Sequence, residues 1–239
     1  VVCIRSIKRI KNKIMFGIFD SVQKIVYDGL ELYFDAAQKV SYPGSGAVWN
    51  DIAKGGYATL TNTYTFYSGN GGYLADFSPF STTAPITSSA VNNLSGLTFQ
   101  AIAMYTEGQY DGPKLIASNN NGGNNVGLEV GNNVIAMSSD GGGRRAQASV
   151  SQNVWFFVSG IRDVSTLSVS VRINDGARVT NTYGSMGNVA LESPWLISRD
   201  RTGGVQLRGR IAVALAYSRA LTASEELQNF YALRQRYGI

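Results

Sequence analysis

The sequence predicts an all-β domain: an antiparallel β-sandwich of jelly-roll type, closed by one short C-terminal helix. Composition is the first observation behind this. Of 239 residues, 44% are hydrophobic and only 15% charged, with 27 Gly and 13 Tyr. Such a chain suits short strands joined by tight turns and is too poor in charge for a helical bundle. The second observation is a period-two alternation that recurs in short segments between turn clusters. The third is a switch to helical spacing in the final segment, behind a capping box.

In chain order, Ser21–Ile25 reads as a short helix or turn, and Gly29–Asp35 alternates like a strand with one buried face. Ser41–Gly46 is a turn cluster leading to Val48–Ile52. Short strands follow at 58–60, 63–67 and 73–77, and the polar stretch Ser78–Asn93, with two of the five prolines, reads as a long surface loop. Leu97–Tyr105 returns to strand. Asn119–Asn125 is a turn of residues that tolerate positive φ, followed by a hairpin of 126–130 and 133–138 turning at Gly131-Asn132. Val154–Gly160 is an apolar run expected to be buried on both faces, and 167–173 alternates before Asn174-Asp175-Gly176 reverses the chain. Residues 195–198 and 209–217 supply the last strands. Thr222 then caps a helix, with Glu225 three residues on and Leu227, Phe230, Tyr231 and Arg234 along one face.

Residues 1–26 form a basic N-terminal arm and 27–239 the folded domain. Arg5, Lys8, Arg9, Lys11 and Lys13 carry much of the net +5 charge, so contact with nucleic acid is expected only through this arm. Met15 opens a segment more like the rest, which makes 1–14 a candidate upstream extension of the reading frame. The apolar run 14–19 is short for a secretion signal, and no run reaches the roughly 20 residues of a membrane span. The single cysteine, Cys3, excludes an intrachain disulfide. The absence of His excludes Ser-His-Asp triads and imidazole metal sites.

Three stretches together resemble the laminin-G, concanavalin-A-like lectin/glucanase superfamily. They are Asp28–Ala36 with Ser41-Tyr42-Pro43-Gly44-Ser45-Gly46, Trp49 and Asp51; Trp155–Asp163 with Leu167–Gly176; and Leu207–Thr222 followed by Glu225. The first is also similar to laminin-G-like domains of tailed-phage virion structural proteins. That resemblance implies a non-catalytic virion protein, a capsid-decoration or fibre- or tail-associated subunit assembled in the host cytoplasm. Its partners would be other virion proteins and further copies of itself. An alternative reading is an adhesin for a host-surface glycan, with calcium left open as its one cofactor. A third is a glycoside hydrolase.

The hydrolase reading needs two carboxylates about 5–9 Å apart. Glu31 and Asp35 are the nearest candidates, but Asp35 reads as part of the structural opening motif. Calcium would draw on loop acids such as Asp111, Asp140, Asp163, Asp175 and Asp200, none of which clusters with ligand spacing. Trp49, Trp155 and Trp195 lie in apolar contexts and are expected in the core. Glycan or partner contacts are expected from Tyr64, Tyr67, Tyr73 and Tyr110, with Tyr105 and Tyr183 also available, and from Arg144 and Arg145. The two arginines follow Gly141-Gly142-Gly143 and read as the tip of a basic hairpin rather than a phosphate loop.

Overall fold

The computed structural model describes residues 24–60, 65–69, 71–76, 82–84, 91–106, 114–118, 126–139, 143–191, 195–197 and 207–239. Among them, the first strands are β1 (Leu30–Asp35), β2 (Val48–Asn50), β3 (Tyr57–Leu60), β4 (Thr65–Tyr67), β5 (Tyr73–Asp76) and β6 (Thr82–Ala84). Next come β7 (Val91–Leu94), β8 (Gly96–Tyr105), β9 (Lys114–Ser118), β10 (Gly127–Gly131), β11 (Val134–Ser139) and β12 (Arg144–Ser149). The rest are β13 (Phe156–Asp163), β14 (Ser168–Ile173), β15 (Val179–Thr182), β16 (Val189–Leu191), β17 (Trp195–Ile197) and β18 (Gly209–Tyr217). Helix α1 (Ala223–Leu233) follows, with a 3₁₀ turn at Arg234–Arg236.

Among the described residues every strand pairing is antiparallel. Sheet one runs β15-β14-β13-β8-β18-β5-β4, with β1 also pairing β18; sheet two runs β12-β11-β10-β9-β17-β6-β3-β2. A small pair, β16-β7, lies apart from both. The predicted antiparallel sandwich with one C-terminal helix is therefore the fold observed. No helix among the described residues is long and apolar enough to cross a membrane.

Two apolar clusters flank sheet one. The larger fills the space between the sheets with Leu32, Phe34, Trp49, Phe99, Leu128, Met137, Val158 and Val169. The other lies under α1 on the outer face, where Phe157, Ile161, Leu215 and Tyr217 meet Phe230 and Leu233. Alternation along β13 supplies both, since Phe156 and Val158 point inward and Phe157 and Ile161 outward. The apolar run is thus buried on both faces, as its composition predicts. Gly160 suits the close packing there, because a Cβ at that position would lie 2.5 Å from Leu128 Cδ2.

Four expectations are corrected. Residues 78–93 are not one loop, since β6 pairs with β3 and β17, and β7 pairs with β16. Thr is a strand former, and its polarity hid a strand too short to show alternation. The β10–β11 hairpin turns at Asn132-Asn133, both at positive φ, one residue later than expected. Leu167 belongs to the preceding turn at φ 52° rather than to β14. Arg144 and Arg145 begin β12 instead of forming a hairpin tip.

The capping box forms as predicted, with Glu225 N donating to Thr222 Oγ1 and Thr222 N donating to Glu225 Oε2. The buried face of the helix, however, is Glu226, Asn229, Phe230 and Leu233, and Tyr231 is exposed. Polar partners explain this shift. Asn229 Nδ2 donates to Gln100 Oε1 (2.6 Å) and to Tyr217 Oη (2.8 Å), while its Oδ1 accepts from Val26 N (2.7 Å). Tyr217 Oη donates to Val26 O (3.0 Å) and Gln228 donates to Lys24 O (2.7 Å). Residues 24–26 therefore run as an extended strap held under the helix, with Ile25 and Val26 buried. Of the helix or turn read at Ser21–Ile25, Lys24 and Ile25 are not helical and the rest lies outside the described residues.

Candidate functional site

Sequence-predicted contact residues fall at two opposite edges. Tyr67 and Tyr73 lie on β4 and β5, at one end of sheet one. Their rings stack at 5.0 Å and 18°. Tyr73 is only 6% exposed, enclosed by Tyr67, by Trp155 at 5.1 Å and by the Arg210 guanidinium over its face. Tyr67 keeps 42% exposure and is the open end of this row. Tyr64 and Tyr110 lie outside the described residues. Tyr105 is buried, its hydroxyl bonded to Asn133 and Gln152.

Arg144 and Arg145 sit at the other edge, where β12 closes sheet two and β15 closes sheet one. Here the structure brings them together with two residues of the β15 region. Tyr183 Oη accepts from Arg145 N (2.7 Å) and donates to Arg145 O (3.0 Å). Asn181 Nδ2 donates to the same carbonyl at 2.6 Å. The Arg144 guanidinium lies 5.8 Å from the Tyr183 ring centroid and donates to Ser185 O at 2.6 Å. Arg145 extends toward Glu129 at 3.9 Å, with its side chain 45% exposed. All four residues of β15 are exposed. The result is a rim with an anchored aromatic ring, two guanidinium groups and an amide side chain. Asn181 was not legible as a contact residue, because stacking of two sheet edges leaves no local pattern.

The carboxylates that sequence reasoning weighed for catalysis are bound into the frame. Asp35 is fully buried, and its two oxygens accept from both Arg236 Nη atoms (2.9 and 2.8 Å), Tyr33 Oη (3.0 Å), Ala37 N (3.0 Å) and Gln38 Nε2 (3.0 Å). Burial, with Asp35 alongside, pushes the Tyr33 phenol well above its ordinary range. Glu31 accepts from Ser218 Oγ (2.9 Å) and pairs with Lys54 (3.6 Å). Burial raises the Asp51 carboxyl, opposed by backbone N–H groups of Tyr33, Ala53 and Lys54. Glu226 is buried between Arg178 and Arg172. Glu225 is held down to about 2 by hydrogen bonds from Arg219.

Asp163, expected in a loop, instead ends β13, and it accepts from Ser165 N and Oγ of the turn that follows. Asp111, Asp140 and Asp200 lie outside the described residues. No group of three or more His, Cys, Asp or Glu is placed to hold a metal among the described residues. Trp49 and Trp155 are in the core as predicted, and the Trp195 side chain lies outside the description.

No protein-family model and no curated protein matches the sequence. Solved structures do match in shape. Trypanosoma rangeli sialidase superposes at a TM-score of 0.61 and 17% identity, covering 87% of this chain and 33% of its own. The binding domain of botulinum neurotoxin DC, solved with SialylT, gives 0.62 at 10% identity, covering 89% and 52%. The binding domain of botulinum neurotoxin serotype G gives 0.63 at 12% identity, covering 84% and 50%. The likeness is one of fold. This chain shares their β-sandwich fold and spans a third to a half of those longer chains.

Proposed function

We propose that this chain is a non-catalytic recognition module whose ligand is a glycan, engaged at the β12–β15 rim. The observation that carries this is the convergence of Arg144, Arg145, Asn181 and Tyr183 on an otherwise exposed strand edge. An aromatic ring offers an apolar face to a sugar ring, while guanidinium and amide donors meet its hydroxyls. The structural engagement of Asp35, Glu31 and Glu226 supports binding over hydrolysis by a carboxylate pair, since that mechanism needs both carboxylates free to face substrate. Glycan-array binding, run with and without EDTA on the parent chain and on Arg145→Ala and Tyr183→Ala, tests the proposal. Binding that both substitutions weaken supports it, and chelator sensitivity would add calcium as a cofactor. An array with no bound glycan, or binding indifferent to both substitutions, overturns it.

A second reading places such a module in a virion, as a capsid-decoration, fibre or tail-associated subunit contacting other virion proteins and further copies of itself. The wording of residues 28–51, similar to laminin-G-like domains of tailed-phage proteins, is what favours it. Probing purified particles with an antibody to the chain tests this reading, and absence from particles removes it.

A further inference from the structure

On the outer face of sheet one, a cleft of about 310 Å³ opens between the strap and the end of α1. It is remote in sequence from the rim and assembled from four separate parts of the chain. Ile25, Ile52, Ala232 and Leu233 give it an apolar side. Lys24, Gln38, Arg236 and the Tyr33 ring line the remainder, and the Tyr27 ring, 66% exposed, stands at its edge.

Charge in the cleft is one-sided. Both charged residues lining it, Lys24 and Arg236, are cations, and no Asp or Glu contributes to its walls. Asp35, the partner of Arg236, is buried and already accepts five hydrogen bonds, two from Arg236 and one each from Tyr33, Ala37 and Gln38. Those bonds fix Arg236, Tyr33 and Gln38 against their own support. A guanidinium carries five N–H donors, so the two bonds to Asp35 leave others for a ligand. Lys24 enters no ion pair among the described residues. A preorganised polar wall facing an apolar one, at the small end of ligand-site volumes, selects a compact amphiphile.

We propose that this cleft binds a compact aliphatic group bearing a carboxylate, the aliphatic part against Ile25, Ile52 and Leu233 and the carboxylate toward Lys24 and Arg236. The same chemistry is presented by a free N-acylated amino acid and by a polypeptide ending in an aliphatic residue. This site is independent of the glycan proposal, and the two fail separately because their variants lie at different places.

N-acetyl-L-leucine and N-acetyl-L-leucinamide, matched in shape and differing in head-group charge, are titrated into the full chain at pH 7 and followed by NMR. The acid is expected to shift the methyl resonances of Ile52 and Leu233 and to bind at least tenfold more tightly than the amide. Lys24→Gln should weaken the acid several-fold and leave the amide unchanged, whereas Tyr27→Ser should weaken both. Both substituted side chains are exposed, so the fold is expected to survive. Equal affinity for acid and amide overturns the proposal, as does a shift confined to the Tyr183 rim or none at Ile52 and Leu233. A short peptide ending in leucine, with a free or an amidated terminus, identifies the source. Tighter binding of the free-acid peptide than of N-acetyl-L-leucine indicates a polypeptide terminus; weaker binding indicates a small molecule.

Discussion

Asp35→Asn exchanges a carboxylate that accepts five hydrogen bonds for an amide of the same shape. The side chain is fully buried and meets donors only: two Arg236 nitrogens, the Tyr33 hydroxyl, the Gln38 amide and Ala37 N. An Asn amide nitrogen in place of either oxygen faces those donors with hydrogens of its own, and the Arg236 charge loses its counter-ion. Breaking a buried ion pair from one side costs about 3–5 kcal/mol. Arg236 keeps 30% side-chain exposure, and the partial hydration this allows places the expected loss at the low end, about 3 kcal/mol. For a domain of this size that lowers the thermal midpoint by about 6–12 °C. Urea unfolding should show a lower midpoint at an unchanged slope. Asp35 touches none of the rim residues, so glycan binding by the folded variant should persist. A stability loss under about 1 kcal/mol would refute the assignment of Asp35 as a structural anchor, and loss of binding without loss of stability would return it to the functional site.

Further outcomes follow from other contacts. Gly160→Ala forces a methyl to within 2.5 Å of Leu128 and 2.9 Å of Met137 Sδ, and should destabilise the chain by about 1–3 kcal/mol in urea titrations. Asn229→Leu leaves Val26 N and Gln100 Oε1 buried without their partner, at about 1–3 kcal/mol for each group; hydrogen exchange at Val26 should accelerate more than in β13. Glu225 ionises in the folded chain at about 2, against 4.5 for the free side chain. Its hydrogen bonds with Arg219 and Thr222 therefore stabilise the chain fully above about pH 4.5, and this contribution is lost as pH falls toward about 2. Glu225→Gln should flatten that part of an acid titration.

Sequence pattern carried the frame well where burial followed polarity. The strand at β8, the alternation of β14, the two-faced burial of β13 and the Thr222–Glu225 cap were all legible, because each leaves a pattern within a few consecutive residues. It failed where polar residues are buried. Glu226 and Asn229 turn inward because Arg178, Gln100 and Tyr217 wait beneath them, and apolar spacing alone rotated the helix toward Tyr231. The rim was legible by half. Arg144 and Arg145 stood out as a basic pair, but their approach to Asn181 and Tyr183 depends on how two sheets stack. The cleft left no trace in the sequence, since residues near 25, 35, 52 and 235 meet only through long-range packing.

The central proposal, recognition without catalysis, is tested most directly by the fate of the glycan itself. The purified chain is incubated with a glycan that it binds on the array, and the glycan is then recovered and its mass measured. The expected result is an intact glycan at its original mass, released on dilution. A shortened glycan with a matching free sugar, abolished by substituting a carboxylate, would contradict it.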